Sequence, residues 1–139
     1  MDGYYLGLYE KALPPELTLK EKLLLTRECG FDHLELSVDE SAAKLARLAL
    51  DRKAIRPMAD DILDTGVPIR TMCLSGHRKY PLGSTNTQIR ARGMQMMEQA
   101  IRLAVALGIR IIQLAGYDVY YETGSEETVQ LFSENLSRA

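Results

Sequence analysis

Four short apolar segments, each leading through a loop into a helical pattern, predict an α/β fold built on a parallel sheet. Three observations carry this. Residues 4–9, 33–38, 68–75 and 109–114 have the length and composition of strands. Helix-capping residues and helical apolar spacing fill the intervals between them. The repeat, roughly 30 to 40 residues, is that of parallel strands joined by right-handed helical crossovers. Length then sorts the possible sheets. A closed (β/α)8 barrel takes about 250 residues, whereas 139 are present here. A flavodoxin-like sheet of similar size usually carries a fifth strand. Half a barrel is the expected architecture, with four parallel strands alternating with helices and residues 1–139 forming a single partial domain.

The elements follow in order. Residues 4–9, YYLGLY, are apolar and aromatic, with Gly7 where the backbone can be approached closely, and the strand ends at Glu10 and Lys11 before Pro14 and Pro15. Thr18 and Glu21 have capping-box spacing and open a helix through Leu23, Leu24 and Leu25 that stops at Gly30. Residues 33–38 alternate, with Leu34, Leu36 and Val38 on one side and Glu35 and Ser37 on the other. A short helical piece over 41–50 precedes a longer helix whose buried stripe is Ile55, Met58, Ala59, Ile62 and Leu63, ended by Gly66. Pro57 in a helix interior costs about 3 kcal/mol, so this helix is expected to hold Pro57 in its first turn or to kink. After the third strand, Ser84 or Thr85 is the expected cap of a helix that buries Met94, Met97, Ile101 and Val105 and ends at Gly108. The methionine-rich stripe reads as packing. Residues 109–114 are almost continuously apolar, the pattern of a parallel strand buried on both faces. The loop AGYDVYY, residues 115–121, then leads to a helix over 128–137.

Composition excludes several classes. The formal net charge is -2, so nothing electrostatic points to nucleic acid. No apolar run approaches the roughly 20 residues needed to cross a bilayer, and the N-terminus lacks a charged-then-apolar leader pattern. Cys29 and Cys73 sit among apolar neighbours and read as reduced, buried thiols. A cytoplasmic setting is expected.

The chemistry-bearing stretch is 71–83, TMCLSGHRKYPLG. It turns the third strand into a loop, where Gly76 frees the backbone to present His77, Arg78, Lys79 and Tyr80 before Pro81 and Gly83 close it. Ligands of α/β folds bind beyond the carboxyl ends of strands. The alternative is a solvated basic loop.

Four motifs carry a resemblance: GLYEKALP at 7–14, ELSVDES at 35–41, MCLSGHRKYPLGS at 72–84 and IQLAGYDVYYE at 112–122. Together they resemble the L-ribulose-5-phosphate 3-epimerase family, also described as hexulose-6-phosphate isomerases, among the xylose-isomerase-like barrels. The resemblance implies that the chain is the N-terminal half of such a barrel. It also implies a metal-dependent sugar-phosphate 3-epimerase acting on a ketopentose 5-phosphate, with zinc or manganese stabilising the oxyanion that develops beside the carbonyl. In that family the metal ligands and both acid-base glutamates lie on later strands. No catalytic or metal-ligating residue is therefore expected in this chain, which is expected to bind no metal and to be inactive alone.

With that family behind them, Glu10, Glu35, His77, Arg78, Gln113 and Tyr117 are the candidate substrate-binding residues, and all would face one mouth in a closed barrel. Each has a plainer alternative. Glu10 reads equally as a surface carboxylate paired with Lys11, Glu35 as part of a polar layer, Gln113 as a satisfied buried amide, and Arg78 with Lys79 as a basic surface loop. His33 starts a strand, on the face where barrels keep stability. Asp118 and Glu122 read as solvated, and Tyr120 and Tyr121 as loop packing. A different class of reading is an assembly or binding module whose open sheet edges are covered by a second copy. Another is an aldose-ketose isomerase of the same superfamily. The partner expected is a small sugar phosphate.

Overall fold

Alternation and loop chemistry place the strands, and in a computed structural model they form one parallel sheet: β1 (Gly7–Tyr9), β2 (His33–Ser37), β3 (Ile69–Cys73) and β4 (Ile111–Gln113), in the order β1-β2-β3-β4. Register pairs Gly7 with His33, Glu35 with Thr71, and Cys73 with Gln113. The structure describes residues 3–139; Met1 and Asp2, which the domain reading includes, lie outside them. Among the described residues the α-helices are α1 (Leu19–Glu28), α2 (Ala42–Ala46), α3 (Arg52–Thr65), α4 (Thr87–Leu107) and α5 (Glu126–Arg138).

The chain divides into two compact units. The first comprises the residues up to Ser37, Leu50–Cys73 and Leu103–Gln113. It holds the sheet, with Leu23, Leu34, Leu36, Ile69 and Met72 sealed from solvent. Each such side chain contributes about 1.5–3 kcal/mol of transfer free energy. Helix α1 opens on the expected capping box, in which Thr18 accepts from the Glu21 amide and Glu21 accepts from the Thr18 amide at 2.8 Å. Lys20 meets Asp64 of α3 at 2.6 Å, and Arg27 donates to the Thr65 carbonyl at 2.9 Å.

Several expectations for this unit are corrected. Strand β1 is three residues long, and Tyr4, Tyr5 and Leu6 before it are exposed. Helix α3 starts at Arg52 on an Asp51 cap, so Pro57 lies beyond its first turn. The carbonyl of Lys53 loses its partner there, but both residues are exposed and water can supply one. The face of α3 that turns inward runs through Ile55, Met58, Ile62 and Thr65, leaving Leu63 78% exposed. Cys29 caps α1 and is exposed; both cysteines are free. Strand β4 is the sheet's edge, and Ile111 is 60% exposed despite a sequence pattern suited to burial on both faces.

The second unit comprises Val38–Ala49, Leu74–Arg102 and Leu114–Ala139. Its core is Val38, Leu48, Leu74, Leu82, Met96, Met97, Ala100 and Val119. Helix α4 is capped by Asn86, not by Ser84 or Thr85: Asn86 Oδ1 accepts from the amides of Gln88 and Ile89 at 2.9 and 3.3 Å. Ser84 instead donates to Glu122 at 2.9 Å. The buried positions of α4 are Gly93, Met96, Met97, Ala100, Leu103, Ala104 and Leu107, while Ile101 and Val105 are exposed. Gly93 and the alanines carry little apolar signal in a sequence, so the true stripe was hidden by its small members. Gly93 is small because the Tyr80 carbonyl lies where a Cβ would stand. Helix α5 begins at Glu126 on a Ser125–Thr128 capping box, and its buried Asn135 donates to the Leu82 carbonyl at 3.0 Å.

Candidate functional site

Glu10, Glu35 and Gln113 belong to the first unit. Glu10 follows β1 in a 3₁₀ turn and is buried, not a surface group. Its Oε1 accepts from Lys22 Nζ at 3.2 Å, and its Oε2 accepts from the Ser37 amide at 2.9 Å. Both side chains of this ion pair are nearly solvent-free, at 6% for Lys22 and 1% for Glu10. The carboxylate thus ties the end of β1 to α1 and to the end of β2. Beside it the Tyr9 hydroxyl lies 3.3 Å from Ser37 Oγ, and burial pushes the phenol's pKa up, so Tyr9 remains protonated. Glu35 is half-buried and accepts from its register neighbour Thr71 at 2.7 Å, a cross-strand polar pair. Gln113 ends β4 and is exposed. His33 packs under Gly7, whose missing Cβ would collide with the imidazole.

His77, Arg78 and Tyr117 belong to the second unit. A 3₁₀ turn, Ser75–Arg78, replaces the open loop expected after β3. Gly76 is held there by close packing, since a Cβ would lie 2.8 Å from Met96 Cε. His77 is buried, with Nε2 3.1 Å from the Gly93 carbonyl. A carbonyl only accepts, so Nε2 carries the hydrogen; burial lowers the ring's pKa, the carbonyl offsets this in part, and the imidazole is neutral. Lys79, directly after the turn, is exposed, with its ammonium 5.7 Å from the Tyr80 ring centre.

Arg78 enters a cluster with Tyr117, Tyr120, Tyr121 and Glu40. Its guanidinium lies 5.2 Å from the Tyr120 ring centre. Tyr120 stands 5.1 Å from Tyr117 and 4.8 Å, edge to face, from Tyr121. The Tyr121 hydroxyl donates to Glu40 Oε2 at 3.1 Å. A side-chain hydrogen bond with Tyr117, and then the nearby Tyr120 and Glu40, favour the charged form of Arg78. Among the described residues, Glu40 Oε1 and Arg78 Nε are sealed from solvent and have no hydrogen-bond partner, while the Tyr117 hydroxyl lies against the Arg78 side chain. Arg78 and Tyr117, two of the six candidate residues, lie in the same cluster. Glu40 was missed, although it lies inside the ELSVDES motif directly after β2. Asp118 and Glu122, expected to be solvated, hold the loop instead: Asp118 accepts from the Thr128 hydroxyl, which keeps its pKa below the usual carboxylate range, and its carbonyl accepts from Gly83.

Among the described residues no three His, Cys, Asp or Glu side chains are grouped to hold a metal ion. The donor set of the described residues does not by itself fit the divalent metal that the resemblance implies. A groove of about 590 Å³ in the second unit, lined by Met94, Met97, Ile101, Arg102, Arg138 and Ala139, shares no residue with the Arg78 cluster.

Residues 23–139 match the family model described as xylose isomerase-like TIM barrel. The chain belongs to that family. Within the xylose isomerase-like barrels, it is 47% identical over 134 residues to L-ribulose-5-phosphate 3-epimerase UlaE of Salmonella typhimurium, covering 96% of this chain and 47% of that protein. SgbU of Escherichia coli, provisionally named for the same activity, is 48% identical over 139 residues, 49% of its own length. The chain spans about half the length of the curated relatives it matches. Among solved structures, D-psicose 3-epimerase superposes with a TM-score of 0.75 at 14% identity, over 95% of this chain and 46% of that one. An L-ribulose 3-epimerase superposes with a TM-score of 0.71 at 23% identity, over 96% and 43%. These two likenesses bear on the fold: four parallel strands with their helices superpose on about half of a xylose isomerase-like barrel. In such barrels the loops after the strands carry the chemistry, and Glu40, Arg78 and Tyr117 lie on three of them. No helix among the described residues is long and apolar enough to cross a membrane.

Proposed function

We propose that this chain supplies the N-terminal half of a metal-dependent sugar-phosphate 3-epimerase acting on a ketopentose 5-phosphate, in the cytoplasm. The observation that carries the proposal is the identity of nearly one half to UlaE across 96% of the chain. In this reading the chain binds and orients substrate, while the metal, zinc or manganese, takes ligands outside the described residues. In the second unit Arg78, His77 and Tyr117 are proposed substrate-binding residues; in the first unit Glu35 and Gln113 are each proposed, separately, as substrate-binding residues. Glu10 is proposed to act through Lys22 and Ser37, holding strand ends in place. When bound, the metal would stabilise negative charge next to the carbonyl.

The test is exchange of the carbon-3 proton of L-ribulose 5-phosphate in deuterated buffer, followed by proton NMR. A protein comprising this chain and the remaining length of its relatives is expected to exchange that proton and form the 3-epimer when metal is present. The 139-residue chain alone is expected to give neither. Epimerisation by the short chain, or none by the long one, would overturn the reading. The open β4 edge, with Ile111 60% exposed, favours a second role for the isolated chain, pairing with another copy. Sedimentation of the isolated chain as a monomer at high concentration would exclude it.

A further inference from the structure

In the first unit the two faces of the sheet are treated differently. Leu34, Leu36 and Met72 belong to a face sealed from solvent, whereas register lines up Glu35, Thr71 and the exposed Ile111 across the other. The pairing of β2 with β3 shifts between Leu34 and Glu35, so that Arg70 is an extra residue of β3. Such a bulge re-aims its side chain. The Arg70 guanidinium lies 4.8 Å from the Tyr5 ring centre, and both residues are exposed. Arg110 joins the same strand end, its amide donating to the Arg70 carbonyl at 2.9 Å, and it too is exposed. Among the described residues neither guanidinium has an ion-pair partner. The carboxylates of this part of the sheet are engaged: Asp32 Oδ2 accepts from the Leu6 amide at 2.7 Å, and Glu35 Oε2 from the Thr71 hydroxyl at 2.7 Å. His33, packed under Gly7, keeps a buried Nδ1 with no partner.

An arginine that stays in water needs no partner. One that is covered does, because a guanidinium in a protein cannot shed its proton and a buried charge is tolerated only when paired. The face of the Tyr5 ring offers part of that compensation as a cation–π contact, without an acceptor oxygen. We propose that Arg70 is the receptor for a carboxylate side chain carried by the segment that covers this sheet face. The occupant is the remaining length of the relatives' chain, of which this chain spans about half, so the inference rests on the half-barrel reading. The carboxylate itself follows from charge. A second copy is the poorer occupant, because face-to-face pairing would set its Arg70 and Arg110 against the same two guanidinium groups. A carboxylate can take two N–H groups of one guanidinium edge, and His33 Nδ1 is a further polar atom for the covering segment to satisfy.

The experiment compares this chain with the longer protein, which adds the remaining length of its relatives. Arginine modification by phenylglyoxal, mapped by peptide mass spectrometry, is expected to reach Arg70 readily in the short chain and at least about tenfold more slowly in the longer protein. Arg70→Met is expected to lower the urea midpoint of the longer protein and to leave that of the short chain in place. With Arg70→Lys in the longer protein, a carbodiimide is expected to join the new amine to one Asp or Glu outside residues 1–139. Equal reactivity of Arg70 in the two proteins, equal effects of Arg70→Met, or coupling to a carboxylate within residues 1–139 or to none would each overturn the proposal. Protection of Arg70 in the short chain that grows with its concentration would assign the face to a second copy and overturn it as well. None of these readouts depends on turnover. A longer protein that epimerises L-ribulose 5-phosphate while Arg70 stays reactive defeats this inference alone; one that protects and pairs Arg70 without turnover defeats the epimerase reading alone.

Discussion

Two acid-base pairs, one in each unit, show opposite treatments of a carboxylate near a cation. Glu10 and Lys22 are nearly solvent-free, and both oxygens of Glu10 have a donor. Glu40 and Arg78 are half-buried, share a ring cluster, and each keeps an unpartnered polar atom. The first pair is satisfied within the fold and serves its geometry. The second leaves Glu40 Oε1 and Arg78 Nε without a hydrogen-bond partner among the described residues. Burial of charge therefore does not by itself mark a functional site; the decisive observation is what remains unpartnered.

The comparison can be broken most directly at Lys22. Lys22→Ala removes the ammonium from a buried carboxylate that keeps the Ser37 amide, and is expected to destabilise the chain by up to about 3–5 kcal/mol, read from urea unfolding. Replacing both residues by apolar ones of similar volume is expected to recover most of that loss. A single substitution costing under about 1 kcal/mol would mean that the Glu10–Lys22 pair does not hold the fold. The next effect is steric. Gly7→Ala drives a methyl into His33 and is expected to cost about 1–3 kcal/mol, and His33→Ala in the same chain is expected to relieve it, a coupling that a double-mutant cycle measures.

A smaller effect separates the units by pH. The pKa of His77 is lowered by burial, so the unfolded chain binds its proton more readily than the folded one. Its contribution to stability is whole above the unfolded pKa of about 6.5 and is lost as pH falls from there through the lower folded value. The slope is at most about 1.4 kcal/mol per pH unit, and His77→Gln is expected to abolish it in urea titrations between pH 7 and 5. The smallest effect sharpens the contrast: Arg78→Met and Tyr121→Phe are expected to change stability by less than about 0.5 kcal/mol, because neither breaks a fully buried interaction. A loss of several kcal/mol at either would mean that the cluster is framework after all.

Local patterns were legible where the physics is local. The Thr18–Glu21 box, the stops at Gly30, Gly66 and Gly108, and the four parallel strands are all present, since capping and period depend on neighbours in the chain. The buried stripe of α4 was misread because Gly93, Ala100 and Ala104 make contact by being small, which an apolar count overlooks. Asp118 and Glu122 were misread as solvated because their partners, Thr128 and Ser84, lie 10 and 38 residues away. At the site, Arg78 and Tyr117 were singled out by residue type and by their place after strands, whereas Glu40 passed as a loop residue.

Taken alone, the sequence determined the order of elements, their parallel pairing and the family, because periodicity, caps and motifs are written into consecutive residues. Tertiary structure decided which charges are occupied and which are left open. Lys22 reaches Glu10 across 12 positions, and Tyr121 reaches Glu40 across 81. Whether a carboxylate becomes framework or remains available depends on such long-range partners, which no local pattern encodes.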